Sequence, residues 1–213
     1  MKIDNKINKN SIFFDVDTQH DYLSEASNKV IKNSSQIKKN LAKLTQYAIE
    51  NDIKILGSVD VNSNTDNNKF NINETDIITS RNKISETFVQ GTIFVPNRKV
   101  SEEIISKAIK SGYPVLVEKQ AYSCFQNQNT EIIVNKIIEN NISQAIVYGV
   151  ATEYCVKEAV LGLLSRGIKV YVVKDAIGAI NESAGIVALK EMKEAGATLV
   201  KSKDVLIHKE IIR

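Results

Sequence analysis

The chain has 213 residues, of which 43% are hydrophobic, and its formal net charge is only +3 at pH 7. This length and composition predict a single globular domain with a full core, and the small, scattered charge argues against a nucleic-acid-binding surface. Without a transmembrane-length apolar run, a signal-peptide segment or paired cysteines, the sequence predicts a cytoplasmic protein that does not contact membranes.

Hydrophobic periodicity predicts strands that alternate with helices along the chain. The predicted strands cover about residues 12–16, 53–59, 115–117, 145–148, 169–173 and 197–200. The predicted helices cover about residues 35–50 (capped by Ser34 or Ser35), 104–109 (between a Ser101 cap and Gly112), 131–140, 155–167 and 183–195. Strands separated by helices of this length predict one doubly wound α/β domain over residues 1–213, with a mostly parallel sheet and helices on both faces.

One stretch interrupts this alternation. Residues 62–87 are rich in Asn, Asp and Thr and show almost no hydrophobic periodicity. They are predicted to form a long polar loop or an insertion. A loop of that length inside a compact domain is usually functional, for example as a lid.

The junction between strand and helix around Cys155 is the most informative part of the chain. The apolar run that ends at Gly149 predicts a strand buried on both faces, and the one-sided pattern from Val156 to Leu164 predicts the helix that follows. Cys155 is then expected in the first helical turn, beyond the carboxyl end of a strand, where open α/β sheets bind ligands. Backbone N–H groups there would lower its pKa and favour a reactive thiol, although a small packing residue is the alternative.

Three polar residues follow predicted strands, namely Asp17, Lys119 and Cys155. In a parallel sheet these strand ends share one edge, so the three side chains can converge although they are far apart in sequence. A cysteine nucleophile needs a base and a positive group, which Asp17 and Lys119 can supply. The alternative is that both are ordinary solvated residues. Asp15 faces the same side of its strand as Asp17, so direction alone does not choose between the two carboxylates.

Three segments of the chain resemble the signature blocks of the isochorismatase-like cysteine hydrolases, and within that superfamily they are most similar to nicotinamidases. The segments are VDTQHDY at 16–22, VEKQAYSCF at 117–125 and GVATEYCVK at 149–157. Shorter similarities lie at 89–92 and 194–198, so the resemblance spans about residues 12–200. It implies the isochorismatase-like hydrolase fold.

By this resemblance, Asp17 is the catalytic aspartate, Lys119 the catalytic lysine and Cys155 the nucleophile. The resemblance also implies a cis peptide bond between Val150 and Ala151, with the Ala151 and Cys155 amides forming an oxyanion hole and Val150 contacting the substrate. The implied reaction is hydrolysis of a small amide through a thioester. For nicotinamide, the products would be nicotinate and ammonia, which would place the protein in pyridine nucleotide metabolism.

The sequence departs from the nicotinamidase pattern around the substrate. Nicotinamidases bind a divalent metal through an Asp-x-His pair and a second histidine, and the corresponding residues here are Asp60, Asn62 and Thr87. One carboxylate and one amide oxygen make a weak metal site, so we expect no metal cofactor. The chain has no tryptophan to cover a pyridine ring. Tyr22 and Phe125 are therefore the candidate aromatic residues of the pocket.

Three functions stay open from the sequence. The first is a nicotinamidase-like amidohydrolase with a small-molecule amide as its substrate. The second is another isochorismatase-like hydrolase, acting on an N-carbamoyl compound or a vinyl ether. The third is a small-molecule-binding or interaction protein that kept the fold without turnover. Each is compatible with a homo-oligomer.

Overall fold

The strands and helices of the computed structural model are described for residues 10–24, 31–61 and 81–206. The strands are β1 Ser11–Val16, β2 Ile55–Asp60, β3 Ile93–Val95, β4 Val115–Lys119, β5 Gln144–Val150, β6 Lys169–Gly178 and β7 Thr198–Val200. The α-helices are α1 His20–Leu23, α2 Ser34–Glu50, α3 Glu102–Lys110, α4 Gln128–Glu139, α5 Lys157–Leu164, α6 Glu182–Glu194 and α7 Ser202–Leu206. A 3₁₀ turn, Cys124–Gln126, and a π-helical turn, Thr152–Val156, complete the described elements.

The seven strands form one sheet in the order β3-β4-β2-β1-β5-β6-β7, and every neighbouring pair is parallel. Successive residues of β1 are buried on opposite faces, with Ile12 and Phe14 in one core cluster and Phe13 in the other. Side chains of α3, α4, α5 and α6 complete the first cluster, and those of α2 and α7 complete the second. The predicted doubly wound sheet with helices on both faces is confirmed.

The sheet order brings the polar strand ends together. The chain proceeds from β1 to β2 and outward to β4, then returns to β5 on the other side of β1. This reversal makes the edge between β1 and β5 the topological switch point, where folds of this class bind ligands. Asp17 follows β1 there, and Cys155 lies in the π-helical turn after β5.

Local structure differs from the sequence prediction at several helix and strand ends. The Ser101 cap is confirmed, because its side chain accepts a hydrogen bond from the Ile104 N–H. The prediction of Ser34 or Ser35 as the cap of α2 is wrong, since Asn33 precedes the helix and makes no side-chain capping bond. Cys155 was expected in the first turn of an α-helix, but it lies in the π-helical turn that precedes α5. Strand β3, helix α1 and helix α7 were not predicted because each has five residues or fewer.

Parts of the predicted domain and loop lie outside the described residues. These parts are residues 1–9, 25–30, 62–80 and 207–213. The single domain over 1–213 and the loop over 62–87 therefore stay predictions. Residues 81–87 are described, and they pack against the polar ends of the strands. Among the described helices, none combines the length and apolarity needed to cross a membrane.

Candidate active site

Asp17, Lys119 and Cys155 are in contact beyond the carboxyl ends of the central strands. Lys119 Nζ lies 2.7 Å from Asp17 Oδ2 and donates to Cys155 Sγ at 3.3 Å. The Asp17 carboxylate also lies near enough to the Cys155 thiol to raise its pKa, after the larger effect of burial. Asp17 is fully buried, and Lys119 and Cys155 are 1% and 7% exposed. The structure thus brings together the three residues that the sequence singled out for catalysis.

The Asp17 carboxylate is held in place by the neighbouring strand. Asp17 follows the last residue of β1 and has a left-handed φ of 46°, a conformation that most residues other than glycine avoid. Ser58 of β2 fixes it twice, because its Oγ donates to Asp17 Oδ1 at 2.8 Å and its carbonyl accepts from the Asp17 N–H at 3.0 Å. The sequence analysis missed Ser58, since a single serine inside a predicted strand carries no distinguishing signal.

The site keeps Cys155 in its thiol form. Burial, and then the nearby Asp17 carboxylate, raise the pKa of Cys155 to about 12, although the Lys119 ammonium acts in the opposite direction. The expectation that a helix start would lower this pKa is therefore wrong. Cys155 lies in a buried π-helical turn, where removal of water disfavours the thiolate. Formation of a thiolate here needs a proton acceptor, and Asp17 is a carboxylate close enough to affect the thiol.

Lys119 supplies the positive charge of the site. Burial alone would lower the pKa of Lys119, but the Asp17 carboxylate and Cys155 outweigh that effect, so the pKa lies above its ordinary value. The ammonium therefore stays charged at neutral pH. It can balance the one negative charge that Asp17 and Cys155 share, whichever of the two carries the proton.

The backbone before Cys155 has the form that the resemblance implied. The Val150–Ala151 peptide bond is cis. The Ala151 carbonyl accepts hydrogen bonds from the N–H groups of Tyr154 and Val156, each at 3.1 Å, which closes the π-helical turn. Ala151 and Cys155 thus belong to the same tight turn. Their role as an oxyanion hole stays a prediction.

Tyr22 lies beside the triad and is held by Asp60. Its phenol Oη donates to Asp60 Oδ2 at 2.6 Å. Burial, and then this hydrogen bond, raise the pKa of Tyr22 above its ordinary value, so the phenol keeps its proton. Gln19 fixes the backbone of Asp60, because its side chain donates to the Asp60 carbonyl at 3.0 Å and accepts from the Asp60 N–H at 2.8 Å. Tyr22, Asp60 and Gln19 form what we name the Asp60 corner.

The other predicted substrate contacts lie in packed surroundings. The Arg166 guanidinium carbon lies 3.8 Å from the centre of the Phe125 ring. A Cβ atom at Gly162 of α5 would come within 2.1 Å of the same ring, so Phe125 packs closely against that helix. Val150 is fully buried in the core on the α2 face. Contact of Phe125 or Val150 with a substrate stays a prediction.

Two exposed tyrosines next to the triad were not singled out from the sequence. Tyr122 and Tyr154 stack with ring centres 4.7 Å apart and an angle of 28° between the rings. They remain 60% and 38% exposed, respectively. Tyr154 precedes Cys155 directly, and Tyr122 comes three residues after Lys119. Their pairing joins two segments that are distant in sequence, so no local pattern could have revealed it.

Of the residues at the nicotinamidase metal position, the two that the structure describes, Asp60 and Thr87, do not fit a metal site. The Asp60 carboxylate already accepts the Tyr22 hydrogen bond, and the Thr87 hydroxyl lies 2.6 Å from that of Thr18. Asn62 lies outside the described residues. Within residues 10–24, 31–61 and 81–206, no three or more His, Cys, Asp or Glu side chains are grouped so that they could hold a metal ion.

Protein purified without added metal is expected to contain well under one equivalent of zinc, iron or manganese by elemental analysis. A chelator should leave amide hydrolysis unchanged, because two imidazole ligands are missing and Asp60 is engaged by Tyr22. A tightly held stoichiometric ion would contradict this prediction, as would activity that is lost with chelator and restored by zinc or manganese. His20 and Glu86 would then be the first substitute ligands to test.

Comparison with known proteins identifies the family. Residues 11–204 match the Isochorismatase domain. The chain is 43% identical over 111 residues to the nicotinamidase of Escherichia coli (strain K12), which covers 48% of this chain and 50% of that protein. It is 28% identical over 116 residues to isochorismatase family protein 2B of Dictyostelium discoideum, covering 52% and 54%. The chain thus spans about half the length of these curated relatives.

Solved structures with the same fold extend the comparison. An isochorismatase-like hydrolase from Alkaliphilus metalliredigens has a TM-score of 0.66 at 14% identity, over 94% of this chain and 98% of that one. The pyrazinamidase/nicotinamidase of Streptococcus mutans UA159 has a TM-score of 0.60 at 20% identity, over 89% and 99%. The YcaC gene product of Escherichia coli, an octameric hydrolase of unknown specificity, has a TM-score of 0.62 at 23% identity, over 97% and 82%. The domain match over most of the sequence, on this fold, shows that the chain belongs to the isochorismatase family.

Proposed function

We propose that this protein is a cysteine-dependent amidohydrolase that cleaves a small amide through a thioester intermediate. The observation that carries the proposal is the buried contact of one ammonium, Lys119, with both Asp17 and Cys155. A fixed positive charge lies within hydrogen-bonding distance of both a thiol and a carboxylate, and these are the groups that covalent catalysis by a thiol requires as nucleophile and proton acceptor.

Acylation begins with proton transfer from the Cys155 thiol to Asp17. Sγ attacks the amide carbonyl carbon, and the carbonyl π electrons move to the oxygen. The Ala151 and Cys155 N–H groups would stabilise this oxyanion, an interaction of a few kcal/mol in enzymes that use it. Collapse of the tetrahedral intermediate expels the amine, which takes the proton from Asp17 and leaves as ammonia.

Deacylation repeats these steps with water as the nucleophile. Asp17, again a carboxylate, takes a proton from water as its oxygen attacks the thioester carbon. The second tetrahedral intermediate expels the Cys155 thiolate, which recovers the proton from Asp17. Lys119 keeps the site balanced in both half-reactions, because it pairs with whichever of the two groups is negative.

Nicotinamide is the leading candidate substrate, with nicotinate and ammonia as products. It is supported by the 43% identity to the Escherichia coli nicotinamidase over 111 residues. The exposed, stacked rings of Tyr122 and Tyr154 offer a flat surface beside Cys155 on which an aromatic ring could lie. Turnover of nicotinamide would place the protein in pyridine nucleotide metabolism.

An N-carbamoyl compound is the second candidate substrate, and the Asp60 corner favours it. A carboxylate accepts hydrogen bonds from N–H groups, which a carbamoyl group carries and the ring nitrogen of nicotinamide lacks at neutral pH. Asp60 is partly exposed, and it lies opposite Lys119 in the pairing of β2 with β4.

Ammonia release tests the proposal directly. The protein is incubated with nicotinamide, pyrazinamide and an N-carbamoyl amino acid, and ammonia is measured beside a Cys155→Ala blank. We expect release from at least one of the three compounds and none from the blank. A protein that releases no ammonia, and whose Cys155 does not react with iodoacetamide, would instead be a binding protein of this fold.

A cytoplasmic homo-oligomer is the setting we propose for this activity. Both cysteines are unpaired, as expected in a reducing compartment. Ile186 and Val187 of α6 are 70% and 55% exposed, so this helix presents apolar side chains that self-association could bury. The related YcaC gene product is an octamer.

A further inference from the structure

A second buried ion pair lies beside the triad and takes no part in the steps above. Lys83 Nζ lies 2.7 Å from Asp15 Oδ2 and donates to Thr18 Oγ1 at 2.6 Å. Thr18 Oγ1 lies 2.8 Å from Asp15 Oδ1 and 2.6 Å from Thr87 Oγ1. The exposed fractions of Lys83, Asp15 and Thr87 are 3%, 1% and 4%, and Thr18 is fully buried. These four residues are named the Lys83 cluster.

The donor and the acceptor of each hydrogen bond in the Lys83 cluster can be assigned in only one way. The Asp15 carboxylate only accepts, so the one hydroxyl proton of Thr18 goes to Asp15. Thr18 therefore accepts from Lys83 and also from Thr87, whose hydroxyl must be the donor. Thr18 thereby uses its one donor and both acceptor positions. Any shift of one member leaves a buried polar atom without its partner.

Stability alone does not account for this cluster. Removing two charges from water costs several kcal/mol per ion, and packed hydrophobic residues often replace a buried ion pair without loss of stability. The residues flanking Asp15 in β1 are all apolar from Ile12 to Val16. A hydrophobic residue would therefore suit position 15. What the ion pair adds is a set of directional hydrogen bonds that fixes the relative positions of Asp15, Thr18 and Lys83.

The cluster holds the chain on both sides of Asp17. Asp15 lies two residues before Asp17 and Thr18 directly after it, and one ammonium bonds to both. Between them Asp17 adopts its φ of 46°, a left-handed conformation that residues with a Cβ atom seldom adopt. The Ile84 N–H also donates to the Thr18 carbonyl at 3.1 Å. The turn that carries the Asp17 carboxylate is thus closed by Lys83 and the residue after it.

The segment that carries Lys83 also contacts the strand of the catalytic lysine. Arg81 forms an ion pair with Glu118 at 2.6 Å, and Glu118 directly precedes Lys119. Gln19 pairs with Lys83 through an antiparallel bridge and donates to the Arg81 carbonyl at 2.9 Å. Residues 81–87 therefore join the ends of β1 and β4, which carry the two charged members of the triad.

We propose that Lys83 is a positioning residue, whose ammonium, bound to Asp15 and Thr18, holds the turn that directs the Asp17 carboxylate at Cys155. This inference rests on the proposed role of Asp17 as the proton acceptor. Lys83 acts from the other face of the sheet, since its partner Asp15 lies on the same side of β1 as Phe13, on the α2 face, whereas Cys155 belongs to the opposite core cluster. The Lys83 ammonium bonds to Asp15 and Thr18 and acts on Asp17 through them.

The kinetic test compares Lys83→Met with the double variant Lys83→Met/Asp15→Leu. The single variant leaves the Asp15 charge buried without its cation, so it should lose both stability and turnover. The double variant leaves no buried charge in the Lys83 cluster, so its melting temperature should recover while kcat stays roughly 10- to 100-fold below wild type with little change in KM. Lys107→Met is the control, because Lys107 forms an exposed ion pair with Glu103 and should leave stability and kinetics unchanged.

The rate of Cys155 alkylation by iodoacetamide gives a readout that needs no substrate. Asp17 and Lys119 face the thiol, and Tyr22 lies nearby. Asp17 raises the thiol pKa and Lys119 lowers it. If Asp17 is no longer held against Cys155, Lys119 is left to stabilise the thiolate. The alkylation profile of the double variant should therefore move to lower pH.

The two readouts separate this inference from the proposed function. An unshifted alkylation profile, or wild-type kcat, in the double variant overturns the positioning role of Lys83, whatever the single variant does to folding. A wild-type protein that hydrolyses none of the amides overturns the proposed function instead. In that case the alkylation profile alone decides the role of Lys83.

Discussion

Replacing Cys155 with alanine is expected to lower amide hydrolysis by about four orders of magnitude or more, because the covalent intermediate can no longer form. The variant should stay folded, since the change removes only one sulfur atom from a residue with small volume. Ammonia release measures the activity, and a melting curve on the same sample measures stability. Retention of wild-type ammonia release by Cys155→Ala would end the covalent mechanism.

Cys124→Ser is the matched control for this experiment. Cys124 is 1% exposed in the 3₁₀ turn after β4, and burial raises its pKa to about 12. Lys119 donates a hydrogen bond to Cys155, whereas Asp17 and Lys119 act on Cys124 only through their charges. We expect the variant to keep most activity. If Cys124→Ser folds normally and loses all turnover, the nucleophile has been assigned to the wrong thiol.

The sequence contained enough information to predict the sheet and the meeting of the triad. Apolar runs such as 145–148, followed by a one-sided helical pattern, fix which segments are buried parallel strands. Because parallel strands all end at one edge, Asp17, Lys119 and Cys155 could be expected together before any distance was known. The sequence did not predict the local backbone geometry at Cys155, because the π-helical turn there has no hydrophobic periodicity of its own.

The ionisation of Cys155 could not be predicted from its place in the chain. The sequence argument considered the helix start, which lowers a thiol pKa, but burial and the Asp17 charge dominate and raise it. Burial of a given atom depends on elements from the whole sheet, and a linear pattern does not report it. The proposed mechanism consequently depends on Asp17 as the acceptor of the thiol proton, because the position of Cys155 does not by itself favour a thiolate.

The Lys83 cluster could not have been found from sequence either. Asp15 and Lys83 are 68 residues apart. Lys83 lies inside the polar stretch 62–87, which has almost no periodicity, and it is one of 28 Lys and Arg residues in the chain. Asp15 stood out as a charge inside an apolar strand, but no local signal pointed to its partner. Tyr22 is a similar case. The sequence analysis predicted that it lies near the substrate, but no local signal indicated its hydrogen bond to Asp60.

Asp17 and Asp15 lie two residues apart, and the same substitution at each is expected to change kcat by very different factors. Asp17→Asn should lower kcat by about 10³- to 10⁴-fold, because an amide cannot accept the Cys155 proton while it still accepts the Ser58 hydrogen bond. Its melting temperature should also fall, because the buried Lys119 ammonium loses its counter-charge, although the contacts of Ser58 remain available.

Asp15→Asn should act mainly on stability. The new side chain keeps an oxygen that accepts from Thr18, so the turn at Asp17 persists and kcat should fall by no more than about tenfold. The Lys83 ammonium, however, loses its buried counter-charge, and breaking a buried pair in this way costs about 3–5 kcal/mol. Kinetics and melting curves on both variants distinguish the two roles. If Asp15→Asn abolished turnover while Asp17→Asn only lowered the melting temperature, the proton acceptor would be Asp15, and the Lys83 cluster would hold the catalytic carboxylate itself.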